Sequence, residues 1–243
     1  MNQQENPLFS LLFNILIPII LLNKGHLFLG DKASVFILIL ALMFPVFYGL
    51  FDFIKNKRKN IISLFGTINV LFTGGFALYK LDGIWFAVKE AAFPLLIGIF
   101  VFISAYTKKN FFEYLIRQTP IFKWDLIEEK MKTISSTNHL HVLFKKSTIL
   151  FSISFFISAV LNFILALYIF SEKGTQGLSS TEKEILLNQK IADMTWLGFI
   201  VIGLPMTLFA FGVFWWFLKK LTKLTLLPME QILISSPPKR KKV

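Results

Sequence analysis

Polar and apolar positions divide the chain into six long apolar runs, near residues 7–22, 33–54, 61–79, 84–106, 147–170 and 194–218, joined by shorter polar stretches. A helix needs about 20 mostly apolar residues to cross the hydrocarbon layer of a bilayer. The pattern therefore predicts an all-α polytopic transmembrane helix bundle of six spans. The first run is the weakest: it is uninterrupted only from Leu8 to Leu22 and holds Asn14 and Pro18, so it either thins the bilayer locally or stops short of crossing. The first 22 residues carry one acid, Glu5, and no Lys or Arg, and no small-x-small site follows the run, which predicts a retained helix and not a cleaved leader.

The connections differ in character. In 107–146, Phe111, Phe112, Leu115 and Ile116 share a helical face, Thr119-Pro120 breaks the run, and Trp124, Ile127, Met131 and Ile134 recur at helical spacing among charges. That pattern predicts two short amphipathic helices, either lying on the membrane surface as a linker or docking a membrane-protein partner. The stretch 171–193 is polar, contains Gly174 and Gly177, and reads as an exposed external loop.

Charge sets the expected orientation. With six spans, 4 Lys and Arg fall in 55–60, 8 in 107–146 and 7 after residue 218, all on one side, which leaves 7 of the 26 for the other. By the positive-inside rule both termini are cytoplasmic. The basic tail, 235–243, then anchors that end. Composition supports the bilayer: 55% hydrophobic residues, mean hydropathy +0.64 and 29 Phe exceed what one soluble core could hide. The net charge of +12 sits in short loops beside apolar runs, so anionic headgroups at the cytoplasmic face are its expected counter-charge, and nucleic acid is not. The absence of cysteine excludes disulfides, thiolate nucleophiles and Cys-ligated metals.

Helices in lipid pack through small residues that let backbones approach. Such stripes are Ser34, Ala41, Pro45, Gly49 and Asp52 in span two; Gly66, Asn69, Thr73 and Ala77 in span three; Ala87, Ala91, Pro94, Gly98 and Ala105 in span four; and Ser154, Ser158, Asn162 and Ala166 in span five. Asn14, Asn69 and Asn162 each serve either as hydrogen-bonding glue between helices or as part of a polar binding site. Glu90 lies on the small stripe of span four, whereas Lys89 falls with Phe93, Leu96 and Phe100 and is expected to face outward. A charge in a membrane helix costs a few kcal/mol and tends to be paired, protonated or set in a polar cavity. Glu90 and Asp52 are thus the candidate intramembrane carboxylates, although Lys55 and Arg58 offer Asp52 a structural explanation.

Spans two and four also match at Phe44/Phe93, Pro45/Pro94, Gly49/Gly98, Phe51/Phe100, Phe53/Phe102 and Ile54/Ile103 with a constant offset of 49. Either three hairpins descend from one, or residues common in membrane helices align by chance. Catalytic patterns are missing: there is no phosphate-cradling glycine loop and no nucleophile elbow, and His139-x-His141 points to two sides of a helix with no third ligand. The expectation is no enzyme, no cofactor and no metal.

Asn6-Pro7-Leu8 with Leu12-Phe13-Asn14, Phe44-Pro45 with Tyr48-Gly49, Thr73-Gly74-Gly75, Ser158-Ala159-Val160-Leu161-Asn162-Phe163 and above all Trp85-Phe86-Ala87-Val88-Lys89-Glu90-Ala91-Ala92-Phe93-Pro94 resemble a family of uncharacterised bacterial polytopic inner-membrane proteins. That family is distantly similar to the intracellular septation protein A family. The resemblance implies a multi-pass protein of the bacterial inner (cytoplasmic) membrane and carries over no catalytic residue. Two functions are expected: a transporter or channel for a small solute or lipid, or a non-catalytic envelope or cell-division scaffold.

Topology is directly testable because the chain has no cysteine of its own. Lys57→Cys, Pro120→Cys and Arg240→Cys should be labelled by an impermeant thiol reagent only from the cytoplasmic side, and Gln176→Cys only from outside. External labelling at 57 or 120 would invert the orientation; external labelling at Gln3→Cys alone would reduce the crossings to five.

Overall fold

The computed structural model describes residues 12–30, 33–56, 72, 75, 76, 79, 83–107, 110–133, 137–171 and 177–234. Among them the chain is all-helical, 88% helix and without a strand. The helices are α1 (Ile17–Leu29), α2 (Ser34–Asn56), α3 (Gly83–Ser104), α4 (Phe111–Gln118), α5 (Trp124–Thr133), α6 (Thr137–Ile169), α7 (Ser180–Leu197), α8 (Leu204–Thr225) and α9 (Met229–Ile232). Among the described residues three stretches are long and apolar enough to cross a membrane: Gly83–Ser104, Asn138–Ile169 and Ser180–Thr225, of 22, 32 and 46 residues. They mark the chain as a membrane protein. The expected span at 61–79 lies outside the described residues apart from Phe72, Gly75, Phe76 and Tyr79, as does the tail 235–243.

Two helices run further than hydropathy alone suggests. α6 begins at Thr137, well before 147, because residues 138–146 include no glycine or proline to end it. More consequentially, most of the expected 171–193 loop is α7. Its start is set by a capping box: Ser179 Oγ accepts from the Glu182 N–H at 3.3 Å, and Glu182 Oε2 accepts from the Ser179 N–H at 2.7 Å. Polarity had signalled solvent there, but a Ser-x-x-Glu cap followed by residues without a breaker specifies helix.

Prolines explain the irregular turns. π-helical stretches at Leu12–Leu16 and Gly198–Gly203 each run directly into a helix whose second residue is proline, Pro18 and Pro205. A proline lacks the N–H of a regular turn, and its ring collides with the carbonyl four residues back. A widened turn moves that carbonyl away and keeps the helix continuous.

The chain forms two compact units. The first takes in residues 1–91 and 160–203 and packs Leu22, Leu38, Ala41, Phe86, Ala87, Ala166, Phe170, Ile191 and Ala192 together. Phe86 stacks on Phe170 with ring centroids 4.2 Å apart. Gly83 lies against the Phe170 carbonyl, where no Cβ would fit. Asn188 donates to the Ser34 carbonyl at 2.9 Å, and Lys190 donates to the Ser171 carbonyl at 2.6 Å. A cation is favourable there, next to the carbonyl end of α6.

The second unit, residues 92–159 and 204–243, is aromatic. Phe112, Phe144 and Phe217 meet with centroid separations of 5.2–5.3 Å, and Ile127, Met131, Leu221 and Ile232 close the core around them. The amphipathic helices of 107–146 thus bury Phe112, Ile116, Ile127 and Met131 in the protein's own interior, while Leu115 stays exposed. Asn110 caps α4 by accepting from the Glu113 N–H at 2.9 Å, and the same oxygen accepts from Thr148 Oγ1 at 3.1 Å. Arg117 sits 4.7 Å from the Trp124 ring centroid and bonds Glu113 at 2.8 Å and Glu128 at 2.7 Å. Partial burial opposes the charge on Arg117, but the bonds to Glu128 and Glu113 outweigh it and raise its pKa above the usual arginine value. A short bridge of Phe122 to Leu233 ties the residues after α9 to the turn before α5.

The small stripes are buried at some of their described positions and half-buried at Pro45, Ala91, Pro94, Ser158 and Asn162. Ala87, Gly98, Ala105, Ser154 and Ala166 are buried, and Leu96 and Phe100 are 65% and 60% exposed. A Cβ on Gly98 would meet the Phe156 ring at 3.0 Å and Phe155 Cβ at 3.2 Å. Gly98→Leu should therefore destabilise the protein by about 1–3 kcal/mol, and Phe100→Leu should leave the melting temperature nearly unchanged. Equal losses in a detergent melt would show that these faces are misassigned.

Candidate functional site

The site is assembled on the first turns of α3. Phe86 and Ala87 are buried against the first unit's core, which fixes the rotation of this helix. Lys89 follows Phe86 by three residues and therefore shares its side of the helix. It is consequently buried, with 8% of its surface exposed, and does not face outward with Phe93 and Leu96 as the sequence reading expected. Glu90, three residues after Ala87, turns inward as expected and is half-buried. Neighbouring residues project about 100° apart on a helix, yet both side chains are long enough to meet, and Lys89 Nζ lies 2.5 Å from Glu90 Oε1. Their side chains are 6% and 19% exposed.

An acid and a base are thus held in contact about 10 Å along the helix from Gly83. Each charge relieves the other of the cost of standing alone in apolar packing. Among the other sequence candidates, Asn162 is half-buried on α6 in the same unit. Asn14 and Asp52 have described helical backbones but side chains outside the described set, and Asn69 lies outside the described residues altogether. Among the described residues no three His, Asp or Glu come together as metal ligands; His139 and His141 are both exposed.

Sequence reasoning missed three polar residues of this unit. The helical spacing of Lys89 with Phe93 and Leu96 points it outward, but the buried arc of α3 is wide enough to include Phe86 and with it Lys89; the polarity around Asn188 and Lys190 suggests a loop, but the Ser179/Glu182 cap signals the helix that carries them. No protein-family model, curated protein or solved structure matches the chain.

A double-mutant cycle tests the pair. Lys89→Met and Glu90→Gln should each cost about 2–3 kcal/mol, because each removes one side of a largely buried ion pair. The double variant should lose clearly less than the sum of the two. Strictly additive losses in thermal or denaturant melts would mean that the two groups do not support each other.

Proposed function

We propose that this chain is a multi-pass protein of the bacterial inner membrane, with six spans and both termini cytoplasmic, that acts as a transporter or channel for a small solute or lipid. The buried Lys89/Glu90 pair carries the reading. Membrane helices rarely retain ionisable side chains, and those they keep are concentrated along substrate, ion or proton pathways. Orientation and compartment rest on the distribution of Lys and Arg and on the family resemblance described from the sequence. In this role Glu90 supplies the exchangeable proton or anionic contact, and Lys89 compensates its charge when the path is empty.

The alternative is a non-catalytic envelope or cell-division scaffold. Its main sequence support was an amphipathic segment with an apolar face for a partner. That face is largely consumed within the chain by the packing of Phe112, Ile116, Ile127 and Met131, which leaves transport ahead.

Glu90→Gln keeps nearly the same volume and removes only the charge and the exchangeable proton. In vesicles reconstituted with purified protein, the wild type should carry a solute flux or proton leak, and the Gln variant should carry almost none per folded molecule. A folded Gln variant with wild-type flux would overturn the proposal. A wild type with no flux for any solute tried would hand the reading to the scaffold.

A further inference from the structure

The exposed face of α8 changes character in order along its length. Leu204, Leu208, Phe211 and Trp215 follow one another at steps of four, three and four and are 49%, 72%, 65% and 51% exposed. Lys219 comes one turn later, also exposed, with its Nζ 5.4 Å from the Trp215 ring centroid. Lys220 and Lys223 are exposed on the next turn. Apolar side chains thus give way to an amphipathic ring and then to ammonium groups, the order met on passing from acyl chains through the interface to headgroups.

A second aromatic–lysine couple lies at the same level of this unit. Lys145 Nζ, at the head of the apolar part of α6, is 4.2 Å from the Tyr106 ring centroid, and Lys146 beside it is exposed. The levels correspond because the Phe144 and Phe217 rings touch, which sets the residue before Lys145 beside the residue two before Lys219. Neither α6 nor α8 contains an Asp or Glu. Of this unit's acids, Glu113 and Glu128 are engaged with Arg117, and Asp125, Glu129 and Glu230 are exposed on α5 and α9.

We infer that Lys145, Lys146, Lys219 and Lys223, with Tyr106 and Trp215, bind the phosphate headgroups of anionic phospholipids. The aromatic rings fix the depth of the helices, and the lysines select lipid by charge. This assignment rests on the chain being a membrane protein, and it is independent of whether Glu90 supports transport.

The test titrates phosphatidylglycerol, phosphatidylcholine or inorganic phosphate into the detergent-solubilised full chain and follows the melting temperature. Phosphatidylglycerol should raise it saturably and phosphatidylcholine should not, with the half-saturating concentration rising about fivefold for each lysine changed to Gln. The corresponding Lys→Arg variants should keep the response. Equal responses to the two lipids, an undiminished response after all four lysines are Gln, or reproduction of the effect by inorganic phosphate would overturn the inference. Alkaline extraction of membranes separates the two levels: release of the wild-type protein would sink the membrane reading itself, whereas retention without lipid selectivity would sink only the headgroup assignment.

Discussion

Hydrocarbon offers no hydrogen-bonding partner to a peptide group, so each N–H and C=O within it must be satisfied by the chain itself. Most of the local structure follows from this. The described residues are helical almost throughout, and the stretch from Ser180 to Thr225 continues across Pro205 through a π-helical stretch. Breaking that helix would strand several backbone groups at once, whereas widening one turn displaces a single carbonyl. The same rule favours the buried hydroxyls of Ser147, Thr148, Ser152 and Ser154 on α6, each of which donates to a carbonyl of its own helix.

Charges meet the constraint by pairing or by position. Lys89 is buried and in contact with half-buried Glu90, Lys190 serves the carbonyl of Ser171, and Lys219 stands exposed one turn beyond Trp215. Pairing makes a charge tolerable without making it inert.

The two cores use different chemistry to the same end. In the first, Ala41, Ala87, Ala166 and Ala192 let helices approach and the Phe86/Phe170 stack fills the space between them. The second is richer in rings: Phe112, Phe122, Phe144 and Phe217 pack where the short helices α4 and α5 meet α6 and α8, and each provides a large area per residue. The rotation of α3 in the first core is what turns Lys89 inward.

The sequence by itself determined helix as the prevailing structure of the described residues and where the apolar stretches lie, because both follow from local composition and period. It also determined which faces are small, and so that Gly98 and Ala87 turn inward while Leu96 and Phe100 do not. Glu90 was legible for the same reason. Tertiary structure decided the rest. Whether Lys89 faces lipid or protein depends on how wide an arc of α3 its neighbours cover, which the heptad position of a single residue does not encode. Whether the amphipathic helices α4 and α5 lie on a membrane or fold into a core depends on whether α6 and α8 present matching aromatic surface, a property of distant segments. The polar stretch before residue 194 became helix because a four-residue cap outweighed its average polarity, and Asn188 and Lys190 gained their roles only when that helix met the ends of α2 and α6.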